Sequence, residues 1–299
     1  MKKTFACALV VLSASVGGLG QAHAATNWSF LGTGTETGAG AAGNTLTYAG
    51  TGDGGQVTLS AWSNSKDNAA TGAKYGYIES AYLGSYPGGL GVRNNDATTA
   101  SGDASEAKSP GHTMDNASYN ATTSSGNYTS GSKTADVGLR SDSILLDFGV
   151  GNLAKLSSVT IGWWKGDSDI FVLAYTGTGT PNFTTPSSSL GYADLLNNGW
   201  RVVRSDQSAN YMDMGKGIQA STNSATYAAA SVNNANVSAR YWLVGALSSA
   251  FYSGADVTAD NVKLAGVSAQ VTRIPEPGNL ALLVGALMSG VWLRRRSKG

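Results

Sequence analysis

Short runs in which apolar and polar residues alternate recur along the chain, separated by clusters of Gly, Ser, Asn and Asp. Such alternation places successive side chains on opposite faces of a β-strand. No run of helical period exceeds two turns, although short helices are expected near 192–197 and across 222–231. The pattern therefore predicts an all-β domain. The predicted strands begin at or near Gln56, Lys74, Ser143, Leu156, Asp169, Gly199, Arg240 and Asp260.

Two of these runs define the expected core. In the run LSSVTIGWW, alternation places Val159, Ile161 and Trp163 on one face. The run DIFVLAYTG, which begins at Asp169, is apolar at nearly every position and so predicts a strand buried on both faces. We therefore expect these two strands to form a hairpin at the centre of a jelly-roll-like, two-sheet sandwich.

One long segment has a different composition. Residues 94–136 are almost all Asn, Asp, Ser, Thr, Gly and Ala, which predicts a polar surface loop or a low-complexity insertion. This segment contains His112, the one histidine that follows residue 24.

The beginning of the chain has the pattern of a secretory signal peptide. Lysines at positions 2 and 3 precede an apolar run from Thr4 to Gly20, and Ala22-His23-Ala24 follows. Small residues at 22 and 24 predict cleavage by signal peptidase after Ala24. Cleavage removes Cys7, the one cysteine, so the exported chain relies on its core without disulfides.

The end of the chain combines three features in a fixed order. Pro275-Glu276-Pro277 precedes Leu280–Leu293, which carries no charge, and Arg294, Arg295 and Arg296 follow. Fourteen helical residues span about 21 Å, short of the roughly 30 Å hydrocarbon core. The arginines favour the cytoplasmic side. We therefore predict a short transmembrane helix that holds the chain transiently in the inner membrane.

This order of features resembles the PEP-CTERM sorting signal of Gram-negative bacteria. The resemblance covers residues 272–299 and implies recognition by an exosortase, an intramembrane cysteine transpeptidase, with cleavage near Pro275-Glu276-Pro277. The predicted organisation is a signal peptide at 1–24, a secreted β-sandwich domain at 25–271 and a sorting signal at 272–299.

Four internal stretches resemble a family of exosortase-dependent surface proteins, whose members are secreted β-sandwich proteins without assigned catalysis. In that family the Asp-Asn pair stands closer to the following strand, whereas residues 117–140 intervene here, so the role of Asp115 and Asn116 stays open. The stretches are GLGV (89–92), SPGHTMDN (109–116), SDSILLDFG (141–149) and VTIGWWKGDSDIFVLAYTG (159–177).

The charge of the predicted domain bears on its partners. Residues 25–271 contain 13 basic and 18 acidic residues, a net charge of −5. A mildly acidic chain is a poor ligand for nucleic acid or for an anionic membrane. We expect no nucleic-acid partner.

The chemistry-bearing residues do not form a catalytic pattern. His112 lies in the polar segment, and there is no Gly-x-Ser-x-Gly motif to supply a serine nucleophile. Carboxylates are available for glycoside hydrolysis, but no spacing pairs them. We predict no enzyme activity, no catalytic residue and no required cofactor.

Calcium and sugar are the alternative ligands. Asp167 and Asp169 lie in a short turn between two predicted strands, and an Asp-Asn step occurs at 115–116 and again at 260–261. Oxygen ligands of this kind suit calcium, although Asp and Asn also cap turns through hydrogen bonds to the backbone. The calcium candidates are Asp167, Asp169, Asp115 and Asn116.

Trp163 and Trp164 are adjacent, so we expect one in the core and the other available for stacking on a sugar or covered by a loop. Core packing explains such a pair at least as well.

The resemblance to sorted surface proteins implies an exported protein of the cell surface or extracellular matrix, and we expect it to be structural or adhesive within exopolysaccharide or biofilm. The alternative is a calcium-assisted carbohydrate-binding module, and the third hypothesis is a secreted hydrolase.

Overall fold

The computed structural model describes residues 25–38, 42–66, 77–93, 113–116, 141–164, 168–185, 188–203, 228–248, 250–251 and 260–274. Nearly all regular structure in these ranges is antiparallel β-sheet, which confirms the all-β prediction. One helical turn, α1 (Tyr192–Leu195), lies where a short helix was expected.

The sixteen strands within these described ranges are β1 (Thr26–Ser29), β2 (Thr35–Thr37), β3 (Thr45–Ala49), β4 (Gln56–Lys66), β5 (Tyr77–Tyr86), β6 (Gly89–Arg93), β7 (Met114–Asp115), β8 (Asp142–Asp147), β9 (Asn152–Trp164), β10 (Ile170–Tyr175), β11 (Thr184–Thr185), β12 (Ser188–Ser189), β13 (Trp200–Val202), β14 (Ala228–Ser231), β15 (Tyr241–Ala246) and β16 (Asn261–Arg273).

Fourteen strands form one hydrogen-bonded set that folds into two facing sheets. Sheet A contains β1, β6, β7, β9, β14 and β16, and sheet B contains β2, β3, β4, β8, β10, β13 and β15. Strand β5 joins them, because its residues 77–81 pair with β4 whereas residues 82–86 pair with β6. The short strands β11 and β12 pair separately.

The last strand holds sheet A together. Strand β16 pairs with β9 from Val262 to Arg273 along one edge. Along its other edge it pairs with β7, β6 and β1 in turn. The end of the domain is therefore an interior strand of the sheet.

The main core lies between the sheets, and β10 shows how sheet B contributes to it. Ile170, Val172 and Ala174 face this core, whereas Phe171 and Leu173 belong to a second cluster on the outer face of sheet B. Strand β10 lies between β13 and β15, with all six residues buried or half-buried. The prediction of a strand buried on both faces is confirmed.

The second cluster is rich in aromatic residues. It is covered by the segment that follows β10, which supplies Phe183, Tyr192 and Trp200. The Tyr192 hydroxyl lies 2.6 Å from Ser143 Oγ. Burial raises the pKa of Tyr192 far above its usual range, so this phenol stays neutral and acts as a hydrogen-bonding group.

The prediction that β9 and β10 form a hairpin is wrong, because the two strands lie in different sheets.

The prediction that Val159, Ile161 and Trp163 share one face of β9 is wrong at Trp163. Opposite β16, Ile161 pairs with Leu264 and Trp163 pairs with Lys263, so Gly162 is an extra residue, a β-bulge. The bulge reverses the alternation, so Val159, Ile161 and Trp164 face the core whereas Trp163 does not.

Ile161 remains a core residue, and we predict the cost of truncating it. Its side chain is fully buried between the sheets. Ile161→Ala should lower the free energy of unfolding by about 2–5 kcal/mol, as buried aliphatic truncations do. Urea unfolding of residues 25–274 measures this. The matched control is Val150→Ala at an exposed turn, which should change stability by less than about 0.5 kcal/mol. Equal losses in the two variants would contradict this assignment of the core.

Two further expectations differ from the structure. Residues 113–116, within the predicted polar loop, are all buried, and β7 pairs with the start of β16. The reason is that Met114 enters the main core, while the polar residues beside it hydrogen-bond inside the domain. Residues 228–231 form strand β14 against β9, where the pattern suggested a helix.

The sandwich has two distinct ends. At one end, which we call the polar end, β4 finishes near the start of β8, and the starts of β10 and β16 lie close by. At the other, which we call the terminal end, Ile274 N–H donates to the Gly151 carbonyl (2.7 Å) and β1 begins from this side, with Thr26 opposite Ala269. The first and last described residues therefore lie toward the same end.

Candidate functional site

A network of buried Asp, Asn and Ser residues occupies the polar end. Its members come from the ends of five segments that are far apart in the chain. Each lies at or near the start or end of a strand, where some backbone groups are not used in the sheet hydrogen bonds. We call it the Asp/Asn network; it comprises Asn64, Asp115, Asn116, Ser141, Asp142, Asp169 and Asp260.

Asn116 and Asp260 form the centre of the network. The Asn116 side-chain amide donates to Asp260 Oδ2 and to the Leu247 carbonyl (2.9 Å for the second bond). Asp260 N–H donates back to Asn116 Oδ1 (2.9 Å). Asp169 N–H donates to Asp260 Oδ1 (2.7 Å), and Leu247 N–H donates to the Asp169 carbonyl (3.0 Å). Asn116 and Asp260 together thus tie the start of β16 to the segments beside β10 and β15.

The remaining members extend the network to β4 and β8. Asp115 N–H donates to Asp142 Oδ2 (3.4 Å), and Ser141 N–H donates to Asn64 Oδ1 (2.5 Å). Ser63, the residue opposite Asp142, is fully buried, and its hydroxyl has no hydrogen-bond partner in the ranges that the structure describes. The interior of the polar end therefore holds a concentration of buried polar groups.

Three of the four calcium candidates meet here. Asp169, Asp115 and Asn116 all belong to the network, whereas Asp167 lies outside the described residues. Within the described ranges, no group of three or more His, Cys, Asp or Glu side chains is placed to share one metal ion. Asp115 and Asp169 donate their backbone N–H groups to the carboxylates of Asp142 and Asp260. Asn116 Oδ1 accepts from the Asp260 N–H, as the side chain of a turn-capping residue does.

Sequence reasoning missed Asn64 and Asp142. The available signal was position, because Asn64 lies near the end of β4 and Asp142 lies two residues before the aliphatic run that begins at Ile144. The Asp-Asn step at 260–261 was the informative repeat, since its aspartate bonds to the asparagine of the step at 115–116.

Both tryptophans of the adjacent pair are buried, with Trp163 8% and Trp164 4% exposed. As expected, one of the pair, Trp164, lies in the main core and the other, Trp163, lies outside it. Of the two alternatives for the second tryptophan, Trp163 is covered and is not available for a sugar. On the outer face of sheet A, the Lys263 ammonium lies 5.1 Å from the Trp163 ring and 5.4 Å from the Tyr86 ring. It also donates to the Pro87 carbonyl (3.3 Å). The lysine bridges two aromatic rings and so covers Trp163.

Burial lowers the pKa of the Lys263 ammonium. Because the unfolded chain then binds the proton more tightly than the folded chain, this lysine opposes folding at neutral pH, and the penalty fades as pH rises towards about 10.4. We expect Lys263→Met to raise stability at pH 7 by about 1 kcal/mol, with the gain shrinking at alkaline pH. Urea unfolding at several pH values tests this.

The matched control is Lys155→Met on the adjacent strand, where the lysine is half-exposed and the change at pH 7 should stay within about 0.5 kcal/mol. A loss of stability in Lys263→Met at pH 7 would show that the contacts with the two rings outweigh desolvation.

The other predicted functional residues lie outside the described ranges. They are Ala24, His112, Pro275, Glu276, Pro277, Arg294, Arg295 and Arg296. No helix in the described part of the chain is long and apolar enough to cross a membrane, and the predicted segment 280–293 is not in that part.

A scan against protein-family models found no match, and searches of the curated proteins and of the solved structures also found none.

Proposed function

We propose that the chain is an exported protein of the cell surface or extracellular matrix, cut by signal peptidase after Ala24 and by an exosortase near Pro275-Glu276-Pro277. Before the second cut, residues 280–293 hold the chain transiently in the inner membrane. Its role in this proposal is structural or adhesive, within exopolysaccharide or biofilm. Two observations support the proposal. A signal-peptide pattern precedes the all-β domain and a sorting-signal pattern follows it, and the chain after Ala24 contains no cysteine.

One structural observation supports this proposal most directly. Thr26 and Ile274 lie toward the same end of the sandwich, and both are joined to the sheet by backbone hydrogen bonds. The export signal and the sorting signal therefore attach to one end of the domain. The polar end, with the Asp/Asn network, points away from that attachment.

The connection of the strands supports the finer, jelly-roll-like assignment that we propose. The chain passes from sheet B to sheet A between β4 and β6 through β5, and again between β8 and β9. Repeated crossing between two sheets is typical of double-sheet β folds.

A carbohydrate-binding module assisted by calcium is the second candidate. The observation that favours it is the meeting of Asp169, Asp115 and Asn116 at the polar end. A glycan array probed with and without a chelator separates the two candidates, because the calcium-assisted module should lose binding when the chelator is present. A secreted hydrolase is the third candidate, and a loss of measured hydrolysis on changing His112 would support it.

The intact mass of the protein in its native host tests the principal proposal. The released form should begin at Ala25 and end near Pro275, and it should be recovered outside the inner membrane. A released protein that retains Arg294 to Arg296 would contradict exosortase processing.

A further inference from the structure

An exposed apolar side chain stands at the terminal end. Val150 forms the tip of the turn between β8 and β9, and it is 82% exposed. Gly149 and Gly151 flank it with positive φ angles of 87° and 75°. Only glycine adopts such angles readily, so the turn is built to present the side chain between them.

Hydrogen bonds make the turn rigid. Gly149 N–H donates to Asp147 Oδ1 (2.8 Å), and Asn152 N–H donates to the Gly149 carbonyl (3.3 Å). The Asn152 side chain donates to the Phe148 carbonyl (2.8 Å). The exposure of Val150 is therefore a fixed feature of the fold.

A second exposed apolar residue lies beside this tip. Ile274 is 50% exposed, and its N–H donates to the Gly151 carbonyl (2.7 Å). Arg273, also exposed, pairs with Asn152. Val150, Ile274 and Arg273, which we call the apolar tip, combine two aliphatic side chains with one cation, the composition that suits a lipid headgroup boundary.

The length of the following chain limits how far the tip can lie from a bilayer. Five residues, 275–279, separate Ile274 from the apolar run that begins at Leu280. Six fully extended steps cover about 20 Å, and a headgroup layer is roughly 5–7 Å thick on each side. A domain tethered so closely has a high effective concentration at the surface, so a contact of two side chains adds to the binding that the tether already provides.

We propose that the apolar tip rests on the lipid surface of the inner membrane while the chain is held there. This inference depends on the proposed function, because it requires residues 280–293 to insert. The contact would orient the sandwich upright, with the polar end directed away from the bilayer and Pro275-Glu276-Pro277 at the interface.

The test uses the whole exported chain, residues 25–299, in phospholipid vesicles. Since this chain has no cysteine, Ser238→Cys provides a unique position for a fluorophore. Ser238 is exposed at the terminal end, one residue before Ala239, which bridges to Ala154. Brominated phospholipids should quench this fluorophore, and Val150→Asp should reduce the quenching several-fold. Leu196→Asp is the control, because Leu196 is an exposed apolar residue on the outer face of sheet B.

Flotation with the vesicles separates the two possible failures. If the chain floats and Val150→Asp quenches like the parent, the apolar tip does not contact lipid, while the proposed anchoring stands. If the chain does not float, both the anchoring and the tip contact are overturned. Loss of quenching in Val150→Asp but not in Leu196→Asp supports the proposal.

Discussion

Replacing Asn116 with alanine is expected to lower the free energy of unfolding by about 3–5 kcal/mol, because it removes one partner from a buried network that contains carboxylates. The amide donates to Asp260 and to the Leu247 carbonyl, and it accepts from Asp260 N–H. Alanine replaces none of these bonds, and the buried site excludes the water that would otherwise compensate. Urea unfolding of residues 25–274 at pH 7 measures the loss.

The matched control is Asn198→Ala. Asn198 is exposed, and its amide donates to the Asp194 carbonyl (2.7 Å) at the end of α1. Loss of one solvent-accessible bond should cost about 1 kcal/mol or less. If Asn116→Ala proved no more harmful than this control, the polar end would be hydrated in solution, and the network would contribute little to stability.

Replacing Pro275-Glu276-Pro277 with three alanines should abolish release of the domain in the native host. The change leaves Leu280–Leu293 and the arginines intact, so the chain should still enter the inner membrane. Without the recognised motif it should accumulate there at a higher mass than the released parent. Membrane fractionation followed by intact mass determination measures this outcome.

Replacing Arg294, Arg295 and Arg296 with serine is the complementary variant. Its motif is unchanged, but the charges that hold the end of the chain on the cytoplasmic side are lost. We expect weaker retention in the membrane. Release of the alanine variant at the parental mass would show that the motif is incidental and that the resemblance to a sorting signal misleads.

The alternation of residues was sufficient to predict most of the long strands. It identified β4, β8, β10, β15 and β16, because each of these strands has an apolar face, and some have two. It failed at Gly162, since a bulge reverses the faces without changing the composition of the run. It also could not show that β5 changes partner between its two halves, because both halves have the same local pattern.

The site was harder to predict than the strands. Asn116 and Asp260 are 144 residues apart, and nothing local to either indicates the other. The repeated Asp-Asn step was a real signal, but its meaning depended on which strand ends meet. The burial of residues 113–116 could not be predicted either, because a strand of two residues within a polar segment is too short to show an alternating pattern.

The position of β16 has a consequence for the order of folding. A chain that is exported from its N-terminus delivers β1 first and β16 last, yet β1 pairs with β16. If the chain is exported as proposed, β9 would lack the partner that runs along most of its length until residues 261–273 have crossed the membrane. Sheet A therefore depends on contacts of high sequence separation, which form slowly and leave strand edges exposed in the meantime. A pause in the membrane immediately after β16 would give the closing strand time to insert before the domain is released.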